Sequence, residues 1–297
     1  MLITVFTPTY NRAHLLPRLY ESLCKQTFKD FEWVIVDDGS SDKTDEVVHP
    51  FISDNLFSIN YIKQENGGKH RAVNRGVKEA KGELFLILDS DDSLPEHSLE
   101  TIADYYNQIK NDKSFGGVAG YMSHHDGTVI GQCKADGVID ATSSEYRFKY
   151  HATGDMCEVI RTKVLREFPF PEIVEEKFVP ETLVLYQIAS KYRLRWFKEV
   201  VYYRDYLEGG LTDKIVKIRM NSPYSTMLAY KTKLLSKIPL LQKIKSAINF
   251  YRFSFCVTHS HYVKVKQSGF SIPHINLIWL FCAPIGYILH LKDKKIF

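Results

Sequence analysis

Apolar residues follow two rhythms along the first part of the chain. Mostly apolar stretches at 2–6, 31–36 and 59–62 read as strands, and the unbroken apolar run at 84–88 reads as one buried on both faces, because a strand covered on both sides has no polar face to show. Between them Leu15, Leu16, Leu19 and Leu23 fall on one face of a helix over 13–26, and a second helix is expected over 72–80. Asp37-Asp38-Gly39-Ser40-Ser41-Asp42 and Asn66-Gly67-Gly68 are rich in turn-forming residues. Strand and helix in alternation predict an α/β fold: a mostly parallel central sheet flanked by helices. Further on, 93–111 reads as helix and 116–140 as short strands and turns, including Asp126-Gly127. Helices follow at 162–167 and 180–190, with strands at 192–197 and 200–203.

The pattern changes near Leu211–Lys214, and charge changes with it. Residues 1–213 hold 25 Lys and Arg against 34 Asp and Glu, whereas 214–297 hold 14 against one acid, Asp293. We therefore expect a domain over 1–212 and a basic, aromatic-rich helical extension over 213–297. A basic extension has two natural partners, nucleic acid and an anionic membrane surface. Apolar content separates them. Residues 277–289 form an aromatic-bearing run of about 13 residues interrupted by Pro284 and Gly286, short of the ~20 needed to span a bilayer. Basic flanks and aromatic residues suit a segment lying in the membrane interface, so an anionic membrane surface contacted through 214–297 is expected and nucleic acid is not. The plainer alternative is a C-terminal helix docked on the core with solvated lysines. The cysteines Cys24, Cys133, Cys157, Cys256 and Cys282 show neither metal-ligand spacing nor a disulfide framework. The first residues run straight into a strand without a secretory signal. The expected place of action is the cytoplasm, peripheral on the inner face of the plasma membrane.

Chemistry enters with Asp89-Ser90-Asp91-Asp92, which closes the apolar run 84–88. Carboxylates at the carboxyl end of a strand sit where open α/β sheets bind ligands. Asp89 and Asp91, two residues apart, point to the same side of an extended segment and can converge on one hard cation. The plainer role of Asp92 or Ser93 is to cap the helix opened by Pro95. Asp37 and Asp38 end a second buried strand at the same sheet edge. Their alternative is an Asx-turn. No dinucleotide fingerprint follows the first strand, whose successor is Thr7-Pro8-Thr9-Tyr10-Asn11-Arg12, and no Walker loop occurs.

The ordered series Pro8-Thr9-Tyr10-Asn11-Arg12, Val36-Asp37-Asp38-Gly39-Ser40-Ser41-Asp42, Glu65-Asn66-Gly67-Gly68-Lys69, Lys81-Gly82-Glu83 and Leu88-Asp89-Ser90-Asp91-Asp92 resembles family 2 glycosyltransferases of the GT-A fold. Looser matches at Pro180-Glu181 and Gly209-Gly210-Leu211-Thr212 extend the resemblance over 1–212. It implies inverting transfer of one sugar from a nucleoside diphosphate sugar, a UDP-sugar by preference, to a saccharide hydroxyl. It implies that Asp38 accepts from the uracil imide, that Thr7, Pro8 and Tyr10 line the base pocket, and that Arg12, Gly68, Lys69 and Ser90 lie along the nucleotide. A solvated turn lysine is the alternative for Lys69. Asp89 would hold the ribose or a metal-bound water, and Asp91 would ligate Mn²⁺ or Mg²⁺ directly. The metal would neutralise the departing diphosphate.

An inverting transfer also needs a base for the acceptor hydroxyl. The family commonly writes Glu-Asp at a helix start beyond the metal motif. The matching place reads Phe178-Val179-Pro180-Glu181-Thr182, so Glu181 is the implied base, although Thr182 replaces the second acid. With Pro180 at N1, Glu181 would also make a favourable helix start without any catalytic role. Glu175 and Glu176 are nearby alternatives for the base, with a solvated face as their plainer reading, and Asp155 is read as an acceptor contact. Tyr192-Arg193-Leu194-Arg195-Trp196 lacks the glutamine of the Gln-x-x-Arg-Trp motif of processive synthases. The acidic domain and basic extension together suit a lipid-linked acceptor in surface polysaccharide assembly (capsule, O-antigen or exopolysaccharide). Competing expectations are a nucleotidyltransferase, which would carry a basic Gly-rich loop after the first strand, and an inactive membrane-associated scaffold of the same fold.

Overall fold

The computed structural model describes residues 1–204 and 214–296. The chain divides into two compact units, Met1–Pro169 with Lys191–Asp205, and Phe170–Ser190 with Tyr206–Phe297. The expected cut at 212/213 and the Gly209-Gly210-Leu211-Thr212 turn lie outside the described residues. Phe170–Ser190 groups with the C-terminal stretch, a partition that charge along the chain does not disclose.

The first unit runs β1 (Ile3–Thr9), α1 (Leu16–Cys24), β2 (Phe31–Asp37), α2 (Thr44–Asp54), β3 (Ser58–Lys63), α3 (Lys69–Glu79) and β4 (Leu84–Ile87). It continues with α4 (Ser98–Asn107), β5 (Phe115–Ser123), β6 (Val129–Ile130), β7 (Ile139–Ala141), α5 (Ser143–Phe148), β8 (Met156–Arg161), α6 (Thr162–Glu167) and, after an excursion into the second unit, β9 (Arg193–Tyr203). Its sheet has the order β3-β2-β1-β4-β8-β5-β9-β7, with β6 on β5. The sheet is parallel through β3-β2-β1-β4 and again between β5 and β9, and antiparallel where β8, β6 and β7 pair. The parallel strands β1 to β4 are joined by the crossover helices α1, α2 and α3, as parallel neighbours require.

β1, β2 and β4 are buried as their sequences indicate, whereas β3, at the edge of the sheet, is half-exposed along its length. β2 has no exposed residue, and Trp33 at its centre shares one core with α1 and α4 through Leu19, Leu23 and Ile102. Gly82 is needed for packing: a Cβ there would meet the Thr4 backbone nitrogen at 2.3 Å. Two helices escape the apolar pattern. α2 carries Pro50 in its interior and buries just Thr44 and Val48, so its periodicity is weak and a proline argues against it. α5 is six residues long and owes its start to a capping box between Thr142 and Glu145. The strands expected at 192–197 and 200–203 are one strand, β9.

The order of strands decides where a ligand can sit. From β1 the chain proceeds outward to β2 and β3, then returns to place β4 on the other side of β1. Beyond the carboxyl ends of β1 and β4 the connecting loops diverge, which is the switch point where doubly wound sheets open a crevice.

The second unit consists of α7 (Thr182–Ala189), α8 (Ile215–Asn221), α9 (Pro223–Leu235), α10 (Leu240–Ser254), α11 (His259–Gln267), a 3₁₀ turn (Leu277–Cys282) and α12 (Ala283–Ile296). Small cores hold it: Ile173, Tyr224 and Val265 form one, and Leu234, Ala247 and Cys282 form another. Glu176, expected on a solvated face, is fully buried. Its carboxylate accepts from the Tyr224 N–H at 2.7 Å and the Ser225 N–H at 2.8 Å, and also from the Ser225 hydroxyl. It therefore caps the first turn of α9 from a distant segment, satisfying donors that a helix start leaves open. Neighbouring Glu175 keeps the solvated position and pairs with Lys264.

Burial is the largest influence on Glu176 and raises its pKa, against the lowering effect of the Ser225 and Tyr224 donors. Glu176→Ala is expected to destabilise the protein by about 2 kcal/mol, since it leaves buried N–H groups without an acceptor. Urea denaturation measures this. Because the folded pKa lies above the unfolded one, the Glu176 contribution is complete below the unfolded value, about 4.3, and declines as pH rises through the folded value. The gap between wild type and Glu176→Ala should narrow over that interval; a gap that widens would reverse the assignment.

Candidate active site

Three loops meet at the switch-point edge. They follow β1, β2 and β4, whose parallel register brings their carboxyl ends together. The β1 loop is tied to the β2 loop residue by residue. Asn11 adopts a left-handed backbone, φ 52°, and its N–H donates to Ser40 Oγ at 2.8 Å while its Oδ1 accepts from the Ser41 N–H at 2.8 Å. The Ala13 N–H donates to Asp42 Oδ2 at 3.0 Å. Asn tolerates this backbone region better than most residues, which explains its place there.

Asp38 organises the second wall. Its Oδ1 accepts from Gln64 Nε2 at 2.8 Å and the Gly67 N–H at 3.0 Å, and its Oδ2 from the Gly68 N–H at 2.7 Å and Asn66 Nδ2 at 3.1 Å. One nearly buried carboxylate thus folds the 64–68 turn against the β2 loop. Gly39 has to be glycine for the same closure: its φ is +84°, and a Cβ would stand 2.8 Å from the Asn66 nitrogen. Asp37 is fully buried, accepting from the Ser40 N–H at 2.8 Å and the Tyr61 hydroxyl at 2.9 Å.

The turn delivers Lys69 to the first residue of α3, and Lys69 Nζ lies 2.7 Å from Asp89 Oδ1. Arg12 Nη1 lies 2.7 Å from Asp91 Oδ2, and Arg18 donates to the Asp91 carbonyl. Asp89, Asp91 and Asp92 offer carboxylate oxygens all within 4.8 Å of one another. Acids packed this closely repel unless cations offset them. Arg12 and Lys69 supply that offset here. The all-oxygen donor set also fits a hard divalent cation such as Mg²⁺ or Mn²⁺, with half-buried Asp89 and Asp91 open to it and Asp92 behind them.

Asp92 is the buried member of the triad. Burial pushes its carboxyl up to about 7, opposed by the hydroxyl of Tyr202, while Asp89 and Asp91 push it further up. Tyr202, on β9, donates to Asp92 Oδ2 at 2.6 Å and accepts from the Asp89 N–H at 3.1 Å. One phenol therefore holds both ends of the acidic turn. No motif announced Tyr202, which is separated from Asp92 by 110 residues and enters through the β9 pairing. Tyr202→Phe should weaken Mn²⁺ binding about tenfold, the lower end for loss of a group supporting a metal ligand. Electron paramagnetic resonance titration of free Mn²⁺ reads this directly; an affinity within twofold of wild type would remove the positioning role.

The remaining expected residues fall as follows. Thr7, expected in a base pocket, has a fully buried side chain that accepts from Trp33 Nε1 at 2.9 Å, so it faces the core. Pro8 is half-buried, Ser90 is buried, and Tyr10 stands exposed at 49 % beside the crevice loops. Asp155 is exposed, precedes β8 and pairs with Arg204. β8 runs antiparallel to β4, so its start shares the edge where the acids lie. Glu181 is exposed and belongs to the second unit. α7 begins at Thr182, leaving Glu181 at the N-cap and Pro180 ahead of the helix, whereas the sequence pattern places them at N2 and N1. The Glu181 carbonyl accepts the first helical bond from Leu185.

The switch-point edge thus gathers a triad of acids beside cations presented by a glycine turn and by the loop after β1. The chain belongs to glycosyl transferase family 2, whose family model matches residues 4–165. Its fold is GT-A. TarS of Staphylococcus aureus, solved as residues 1–349 in complex with UDP, superposes with a TM-score of 0.63 at 22 % identity over 88 % of this chain and 73 % of that one. Glycosyltransferase GlyG of Streptococcus pneumoniae is 37 % identical over 129 residues, 38 % of this chain and 42 % of that protein. A GalNAc(5)-diNAcBac-PP-undecaprenol β-1,3-glucosyltransferase of Campylobacter jejuni is 36 % identical over 111 residues, 36 % of this chain and 35 % of that protein. The chain spans less than half the length of these curated relatives.

Proposed function

We propose that this chain transfers a single sugar, with inversion, from a UDP-sugar to a hydroxyl of a lipid-linked saccharide during surface polysaccharide assembly. The observation that carries the proposal is the convergence of Asp89, Asp91 and Asp92 with Arg12 and Lys69 at the β1/β4 edge. The UDP in the TarS complex supports the nucleotide, and the Campylobacter relative, named for an undecaprenol-linked saccharide, supports a lipid-linked acceptor.

In this reading the residues divide the work. Tyr10 and Pro8 flank the base. Asp38 reads the uracil imide N–H by giving up one of the hydrogen bonds it makes to the 64–68 turn. Arg12 and Lys69 leave their carboxylate partners for the diphosphate oxygens, along the wall formed by Gly68 and Ser90. Asp91, with Asp89, would hold Mn²⁺ or Mg²⁺, which when bound supplies charge neutralisation to the leaving diphosphate. Glu181 takes the acceptor proton, and Asp155 contacts the acceptor. The catalytic unit works at the inner face of the plasma membrane, held to anionic lipid through 214–297.

Calorimetric titration with UDP, with and without Mn²⁺ and with chelator, tests the donor site. Micromolar binding that requires metal is the expected result. Absence of UDP binding under every condition would overturn uridine recognition and direct the same titration to GDP and TDP.

A further inference from the structure

α12 packs with the wrong side inward for a helix that merely completes a water-soluble unit. The stripe it turns to α10 is small or polar: Gly286, whose added Cβ would meet the Ile248 carbonyl oxygen at 2.8 Å, then His290 and Asp293. Asp293 binds Arg252 through both carboxylate oxygens, each at 2.6 Å, and His290 Nδ1 lies 3.4 Å from Cys256 Sγ. The opposite face, with the 3₁₀ turn before it, is apolar and open. Leu277 is 80 % exposed, Ile278 70 %, Leu280 56 %, Phe281 61 %, Ile285 49 % and Ile288 63 %. An amphipathic helix seeking the protein core would reverse these faces. Six large apolar side chains grouped on adjoining turns form the kind of exposed patch that marks a docking surface.

Charge identifies the occupant. Lys292, Lys294 and Lys295 stand exposed toward the end of α12, the latter two in its last turn, following the apolar patch. Asp293, the single acid of residues 214–297, is paired inward with Arg252 and neutralises none of them. A second copy docking through the same patch would bring lysines against lysines, whereas lipid phosphates complement them. From Ala283 to Lys295 the helix is about 18 Å long, too short to span a bilayer and suited to an interfacial position. Among the described residues no helix is long and apolar enough to cross a membrane.

We infer that the 3₁₀ turn and the outward face of α12 form a wedge that inserts into the interfacial layer of an anionic bilayer, with Lys292, Lys294 and Lys295 on the headgroup phosphates. This rests on the membrane-side reading above and names its inserting element. The other two tryptophans, Trp33 and Trp196, are 0 % and 1 % exposed, so a vesicle-induced change in emission reports on half-buried Trp279 in the 3₁₀ turn.

The test uses the full chain with vesicles of phosphatidylcholine alone and vesicles containing about one third phosphatidylglycerol. The expected result is flotation with the anionic vesicles and a blue shift of Trp279 emission. The triple variant Leu277→Ser, Phe281→Ser, Ile288→Ser should lose about tenfold or more in vesicle affinity. Lys292→Glu, Lys294→Glu, Lys295→Glu should abolish the preference for anionic lipid. Equal flotation of wild type and the serine variant would overturn the wedge, as would no flotation with either vesicle. Light scattering that gives a dimer for wild type and a monomer for the serine variant would assign the patch to a second copy instead. UDP titration of the same samples separates the two readings: intact UDP binding without flotation rejects the wedge alone, and flotation without UDP binding rejects the donor site alone.

Discussion

Asp91→Ala is expected to lower turnover by about 10²–10³-fold, the scale on which loss of a group stabilising developing charge is felt. The same substitution should make UDP binding indifferent to Mn²⁺. The expectation follows from position. Asp91 is half-buried, sits within 4.8 Å of the carboxylate oxygens of Asp89 and Asp92, and is held by Arg12 at 2.7 Å. Removing its carboxylate takes one of the two half-buried oxygen ligands from the site and releases Arg12 toward Asp89 or the diphosphate. A variant that recovered nucleotide binding through Arg12 while losing metal dependence would therefore still support the role of Asp91 as ligand. Asp91→Asn keeps the shape and removes the charge, so it should resemble alanine in metal affinity and wild type in thermal stability. Mn²⁺ titration, single-turnover rate and melting temperature together decide the matter. Unchanged turnover in Asp91→Ala would remove the metal role altogether.

Much of this edge was readable from the chain because strand-end acids, turn residues and helix starts are local signals. The apolar run 84–88 and its acidic close define the β4 end, and the Asn-Gly-Gly turn announces the presentation of Lys69. What stayed hidden depends on long-range pairing. Tyr202 supports the acids only because β9 comes back to meet the loop after β4, where the Ser93 and Tyr203 backbones bond to each other. Thr7 follows the strand stretch 2–6, and no periodicity told that β1 would continue through it or whether its hydroxyl would meet a ligand or Trp33. Asp38 was recognisable as a site residue, but its four acceptor positions are filled by a turn 26 to 30 residues later. Glu176 looked like part of a charged surface run because its partners, Tyr224 and Ser225, belong to a helix start 48 and 49 residues away. α2 was masked by Pro50 and α5 by its brevity, although α5 carries a local start signal in its Thr-x-x-Glu box.

Glu181→Gln is the second large effect, an expected fall in kcat of about 10²–10⁴-fold, the contribution of a positioned general base. The glutamine preserves length and hydrogen-bonding shape and removes the ability to take a proton, so donor affinity should hold while transfer slows. The competing account gives Glu181 a structural task at the N-cap of α7, where a negative charge complements the positive end of the helix dipole without a side-chain capping bond. That task is worth roughly 0.3–1 kcal/mol at an exposed helix start and predicts a small loss of stability with kcat intact. The two accounts therefore separate on one pair of measurements, kcat with saturating acceptor and the urea midpoint. Hydrolysis of the donor in the absence of acceptor adds a third reading. A base that serves the acceptor hydroxyl leaves slow hydrolysis less affected than transfer, so their ratio should shift toward hydrolysis in Glu181→Gln. Thr182 sharpens the comparison, because it stands where the family commonly carries a second acid. If Glu181→Gln retained near-normal kcat, Thr182→Asp would be uninformative for the base and the search would move to Asp155, an exposed acid at the sheet edge that carries Asp89.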